Sequence, residues 1–126
     1  MTRRSGGPSP ARIDREWRYQ VALPDDLCVG RNFALISDFR QAHGLEHMTR
    51  HVTAVWPGGI RQERYRLHCF ADLESAETFK NEFGGVIFDP KLDRESGRVR
   101  GAWHRTDEYK RFLESGPLAV PETLRN

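Results

Sequence analysis

The chain has 126 residues, 37% hydrophobic and 30% charged, with a net charge of +2 at pH 7. That composition fits one polar globular domain with a real core, and no run approaches the ~18 apolar residues of a spanning helix. The charge does not mark a dedicated nucleic-acid binder. Arg3, Arg4 and Arg12 stand in the segment "MTRRSGGPSPAR", which has no acid, and the other seventeen basic side chains face eighteen acidic ones.

That first segment has no apolar stretch behind its arginines, and its glycines and prolines disfavour an amphipathic helix. It reads as neither a secretory signal nor a transit peptide. The expectation is a basic disordered tail over residues 1–13, a single domain over 14–115 and a flexible tail over 116–126, in a bacterial, cytoplasmic protein. Cys28 and Cys69 form no CxxC, so a zinc knuckle is not expected, and a cytoplasmic setting disfavours a disulfide.

In chain order, "EWRYQVAL" alternates Trp17, Tyr19, Val21 and Leu23 with polar or small residues, which predicts a half-buried strand. Pro24 stops it. Asp25 or Asp26 is placed to cap a helix through "LCVGRNFALISDFRQAH", with Gly44 at its C′ position and Leu45 packing back on Phe39. "EHMTRHVTAVW" predicts a second strand, "PGG" a turn, and "RQERYRLHCF" its hairpin partner. Asp72 caps a helix over "LESAETFKNEF", with Leu73, Ala76, Phe79 and Phe83 on one face, and "GG" at 84–85 ends it. A short apolar run, Val86–Phe88, precedes the polar "DPKLDRESG". "RVRGAWHR" predicts a last strand, and "TDEYKRFLESGP" a closing helix capped by Thr106.

The order β-α-β-β-α-(β)-β-α is the split β-α-β pattern of an α+β, ferredoxin-like fold, with an antiparallel sheet, helices on one face and the other face open. It resembles two groups. One is the RNA-recognition motif: "ERYRLHCF", aligned on Phe70, meets that signature at Tyr65 and Phe70 and departs from it at Glu63, Arg64, Leu67 and His68, with a leucine where a stacking aromatic belongs. The other is the dimeric ferredoxin-like proteins, which include small cofactor-free monooxygenases and binding modules. The segment "HCFADLESAETFKNEFGGVIFDP" is similar to small bacterial proteins of this type, a likeness that implies no activity.

Strand parity then sorts the polar residues. With Tyr65, Leu67 and Cys69 facing the helices, Arg18, Arg66, His68, Arg98, Arg100 and His104 fall on the open face. The second strand reads either way: if Met48, Val52, Ala54 and Trp56 point inward, Arg50 is an awkward member of the buried set, and His47, Thr49, His51 and Thr53 lie outside. Neighbours on a strand point to opposite faces, so His68 and Cys69 cannot form a nucleophile–base pair. Both cysteines read as core filling. His43, His47 and His51 are too far apart along a strand to share a metal, since four residues span about 13 Å. A cross-strand metal set of His51, His68 and His104 is the weaker alternative, and no metal or other cofactor is expected. Asp25, Asp26 and Asp72 read as caps rather than catalytic acids.

The functional expectation is a non-enzymatic module that uses Arg18, Arg66, His68, Arg98, Arg100 and His104 to bind an anionic ligand, an acidic protein or a nucleic acid. The alternative is a small cofactor-free enzyme of the dimeric ferredoxin-like kind with His68 or His104 as general base. A homodimer through a strand edge is a third option.

Overall fold

The computed structural model describes residues 8–59 and 61–125. Arg3 and Arg4 of the expected basic tail lie outside them. The first element among the described residues is a helix, α1 (Pro10–Glu16), which overlaps the tail expected over 1–13. Ser9 caps it, accepting the Arg12 N–H at 3.3 Å, and Pro10 takes the first-turn position that needs no N–H donor. Then follow β1 (Tyr19–Pro24), α2 (Arg31–Ala42), β2 (Met48–Val55), β3 (Gln62–Phe70), α3 (Leu73–Phe83), β4 (Val86–Phe88), β5 (Trp103–His104) and a last turn, α4 (Glu122–Arg125).

The end signals read from the sequence hold at three places. Asp72 accepts the Ser75 N–H at 2.8 Å and starts α3. Gly44, with a φ of 63°, closes α2 while the Leu45 N–H returns to the Arg40 carbonyl at 2.9 Å. Gly58 and Gly59, both at positive φ, turn β2 towards β3. The Asp25–Asp26 cap is different: these residues open a separate 3-10 turn at Asp25–Leu27, and Gly30 starts α2.

The chain is α+β, with one mixed five-stranded sheet in the order β4-β1-β3-β2-β5. The first four strands pair antiparallel. β5 runs parallel to β2 through Ala54–Trp103 and Val55–His104, which corrects the expectation of a purely antiparallel sheet. Of the predicted strand over 98–105 only Trp103 and His104 pair, and no helix forms over 106–117. The reason is visible in the packing. Tyr109 packs against the Trp56–Trp103 cluster and Phe112 against the Val21–Phe79 cluster, and a helix would hold both on one side.

Both faces of the sheet are covered, which corrects the expectation of one open face. On the first, α2 and α3 bury Val21, Leu23, Ile36, Phe70, Phe79 and Phe83. On the second, Ile13 of α1 packs with Ala22, Val52, Ala54, Tyr65, Leu67, Cys69, Phe88 and Trp103. Leu118 and Leu124 are buried in the first core, so the packed region extends past 14–115 at both ends.

Register fixes which side chains share a face, because directly opposed residues point the same way. Val21 opposes His68 and Ala22 opposes Leu67. Tyr65, Leu67 and Cys69 therefore turn away from α2 and α3, and Arg66, His68 and Phe70 turn towards them, opposite to the parity read from sequence.

Gly85 sits where β4 approaches β1 at a φ of +103°. A Cβ there would lie 2.8 Å from the Ala22 carbonyl, with the Val21 and Leu23 side chains at 3.0 and 3.1 Å. Gly85→Ala should cost about 1–3 kcal/mol of stability in urea unfolding. Gly58→Ala, with nothing within 4 Å, should lose only the backbone cost of a left-handed residue, about 1 kcal/mol.

Candidate functional site

The six sequence-predicted binding residues do not share one surface. His68 is 2% exposed, packed on Phe79 at 4.8 Å between ring centroids and stacked on His47 at 5.7 Å. Arg66 is half-buried and already committed: its Nε meets Asp25 Oδ1 at 3.0 Å and its Nη1 the Cys28 carbonyl at 3.0 Å. Arg98 and His104 both bind Glu95, the latter through Nε2 at 2.6 Å. That hydrogen bond from His104, first among several causes, holds the Glu95 carboxyl below its usual range. Arg18 and Arg100 remain exposed, at separate places. The metal set is split in the same way, since His51 is tied to Asp25 at 3.1 Å and His104 stands beside Glu95. Among the described residues no group of three His, Cys, Asp or Glu suits a metal ion.

His68 does meet a thiol, but it is Cys28. The Cys28 Sγ lies 3.6 Å from His68 Nε2 and 3.5 Å from the Pro24 carbonyl. Burial pushes this thiol up to about 12, an effect that Asp25 reinforces and Arg66 opposes. Burial, with His47 and then Arg66 and His51 adding to it, holds His68 well below its ordinary range. A nucleophilic cysteine requires the thiolate, so an un-ionised thiol against a neutral imidazole is a packed polar pair. Cys69 is also buried and its thiol raised, by burial foremost.

The residues that build a site lie on the other face of the sheet, where Gln20 opposes Cys69 and Arg50 opposes Leu67. Asp14 on α1 is 5% exposed and takes a two-pronged ion pair from Arg50, with Nε–Oδ1 and Nη2–Oδ2 both 2.9 Å. Arg94 stands at 3.6 Å. Gln20 of β1, fully buried, donates its amide Nε2 to Asp14 Oδ1 at 2.9 Å and to the Trp17 carbonyl at 3.1 Å. Two acceptors fix the orientation of that amide, and its Oε1 is left without a donor. A buried carbonyl in that state costs free energy until something donates to it.

Gln20 lines a cleft of about 550 Å3 between the end of α1, the start of α3 and the end of β4. Leu73, Ala76, Ile87 and Phe88 supply its apolar wall, and Leu73 and Ile87 are 52% and 48% exposed. Arg15, Arg18 and Lys91 bring three exposed cations to it. Arg18 is steadied by the Tyr19 hydroxyl at 2.9 Å and by the Tyr19 ring, 4.9 Å from the guanidinium. Two carboxylates also line the cleft: Asp14, which Arg50 neutralises, and Asp89, which accepts the Lys91 backbone N–H at 2.8 Å. The volume is that of a small-molecule site, with apolar walls and few polar groups.

Of these residues the sequence reading marked only Arg18. Arg50, inward on a strand of apolar partners, was the available signal: a buried arginine requires a buried acid, and the acid is Asp14. No protein-family model, curated protein or solved structure matches this chain.

Proposed function

We propose that the protein is a binding module for a small amphipathic anion, held in the cleft at Gln20. The observation that carries this reading is the combination at one place of an apolar wall, three cations and one buried carbonyl lacking a donor. The ligand has a hydrocarbon or aromatic body against Leu73 and Ile87, a carboxylate or phosphate towards Arg15, Arg18 and Lys91, and an N–H or O–H for Gln20 Oε1. We read the four antiparallel strands β4-β1-β3-β2 as a ferredoxin-like sheet, with β5 added at its edge. The anionic-ligand role expected from the sequence is kept, and of the six residues Arg18 carries it.

Calorimetric titration with N-decanoylglycine, which has all three features, tests the reading. Decylamine has the same chain and the opposite charge. The acyl anion should bind and the amine should not. Arg15→Glu with Arg18→Glu, both exposed positions, should weaken binding tenfold or more, which is about 1.4 kcal/mol. Equal binding of the amine, or an unchanged affinity in the double variant, would sink the proposal.

A second reading keeps the enzymatic alternative at His104. This residue lines a separate cleft of about 370 Å3 with Asp93, Glu95, Thr106 and Asp107. Glu95 on Nε2 orients the ring and leaves Nδ1 as the base. His68, sealed in the interior, takes no part. In this reading His104→Asn removes any proton-abstraction activity, and the Arg15/Arg18 double variant does not.

A further inference from the structure

The outer edge of β2 is the second place where chemistry is offered. β5 pairs with β2 only at Ala54 and Val55, although β2 runs from Met48. The Arg105 N–H bonds to the Val55 carbonyl at 2.8 Å, so the peptide groups of residue 55 point to this outer side. Alternation along a strand then turns those of Thr49 and His51 the same way. No described strand continues the ladder there.

Upstream of Trp103 the chain peels away from β2, and a groove of about 550 Å3 opens between them. It is lined by Pro10, Arg50–Thr53, Arg64 and Arg100–Ala102. Its charge is one-sided, for it holds three arginines and a histidine and no carboxylate. Arg50 is matched by Asp14. Arg64 and Arg100 are exposed, and neither makes an ion pair among the described residues.

We propose that the Thr49–Thr53 edge of β2 receives an extended acidic peptide segment, which adds as a further strand and sets its carboxylates against Arg64 and Arg100. Two independent features specify this occupant. The outward peptide groups call for another backbone, the means by which sheet edges capture extended chains. The unmatched guanidinium groups call for carboxylates, which take arginine in a bidentate fork. A second copy of this chain is disfavoured, because it would bring the same arginines against these. The free stretch, five residues long, sets a peptide core of about 17 Å. The groove is separate from the Gln20 cleft and does not depend on its occupancy.

The probe is a fluorescein-labelled heptapeptide, Thr-Glu-Val-Glu-Val-Glu-Thr, followed by anisotropy at low and moderate salt. Three comparison probes are its Lys-for-Glu counterpart, the same acidic peptide N-methylated at alternate residues, and a single-stranded oligonucleotide of equal charge. The acidic peptide should bind, the lysine peptide should not, and the methylated form should lose at least tenfold, since it cannot complete the ladder. Arg64→Glu with Arg100→Glu should abolish binding without altering the circular dichroism spectrum. Arg15→Glu with Arg18→Glu should leave it unchanged, which separates this site from the cleft. No binding at low salt, or equal binding of the methylated peptide, would overturn the proposal. So would an oligonucleotide that binds through Arg64 and Arg100 more tightly than the peptide, and that outcome would assign the groove to nucleic acid.

Discussion

Asp14→Ala should lower stability by about 3–5 kcal/mol, the cost of leaving a buried arginine without its partner. The side chains of Asp14 and Arg50 are 2% and 7% exposed, so Arg50 cannot turn to bulk water without moving the chain. Gln20 also loses one of the two acceptors that hold its amide. For a domain of this size the loss amounts to a fall in melting temperature of roughly 10–20 °C. The paired replacement Asp14→Leu with Arg50→Met removes both charges together and should recover most of that stability, because the desolvation of the ion pair disappears with it. Thermal unfolding of the single and double variants measures the difference. If Asp14→Ala alone stays within about 0.5 kcal/mol of the parent, an ordinary surface effect, then α1 is not anchored through this ion pair.

The second large effect is loss of stability in mild acid. Burial, with Arg40 adding to it, brings His47 down to about 4 from 6.5, and burial holds His68 well below the same value. Their Nδ1 atoms are buried without partners. The groups facing the pair are Cys28, Arg66, His51 and Arg40, and none supplies a negative charge. In the unfolded chain both imidazoles take a proton near 6.5, while in the folded chain they do not. The stability they contribute is therefore complete above 6.5 and is lost as pH falls from there towards 4. His47 alone accounts for on the order of 3 kcal/mol over that interval, at 1.36 kcal/mol per pH unit. Urea unfolding at pH 7.5, 6.5, 5.5 and 5.0 should show stability falling by up to about 2.7 kcal/mol per unit below 6.5, two protons being taken up on unfolding. His68→Phe should reduce that slope by about half, with the ring stack on Phe79 kept. A flat profile down to pH 5 would mean that neither imidazole is held neutral by the fold.

The elements bounded by strong local signals were legible in the sequence. Asp72, Gly44 and the Pro57–Gly59 turn each act through their own backbone, and they fall where local chemistry puts them. The faces of the sheet were not legible, for a physical reason. Apolar parity identifies the covered face only when one face is covered. In β3 the last four residues, Leu67–Phe70, are all buried, so alternation carries no direction there, and His68 was sent to the wrong side. The run from Gln20 to Pro24, buried throughout, held the same warning of a sheet covered twice. The helix expected over 106–117 failed because Tyr109 and Phe112 are claimed by different clusters, a tertiary demand that overrides local propensity. α1 was hidden by the glycines and prolines before it, although Ser9 followed by Pro10 is a helix-start signature. The cleft depends on Asp14 of α1, Gln20 of β1 and Lys91 in the turn after β4 meeting, and no spacing in the chain encodes that. Arg18 and the awkwardly inward Arg50 were the residues that pointed towards it.

The occupant proposed for the cleft at Gln20 is an amphipathic anion. Amide chemical-shift mapping during titration with N-decanoylglycine tests that assignment most directly, since it locates the ligand as well as detecting it. Saturable shifts should concentrate at Arg15, Arg18, Leu73, Ile87 and Lys91 and include the side-chain amide of Gln20, while Arg64 and Arg100 stay still. Shifts that scatter over the surface without saturating, or that gather elsewhere and leave the Gln20 amide unmoved, would contradict it.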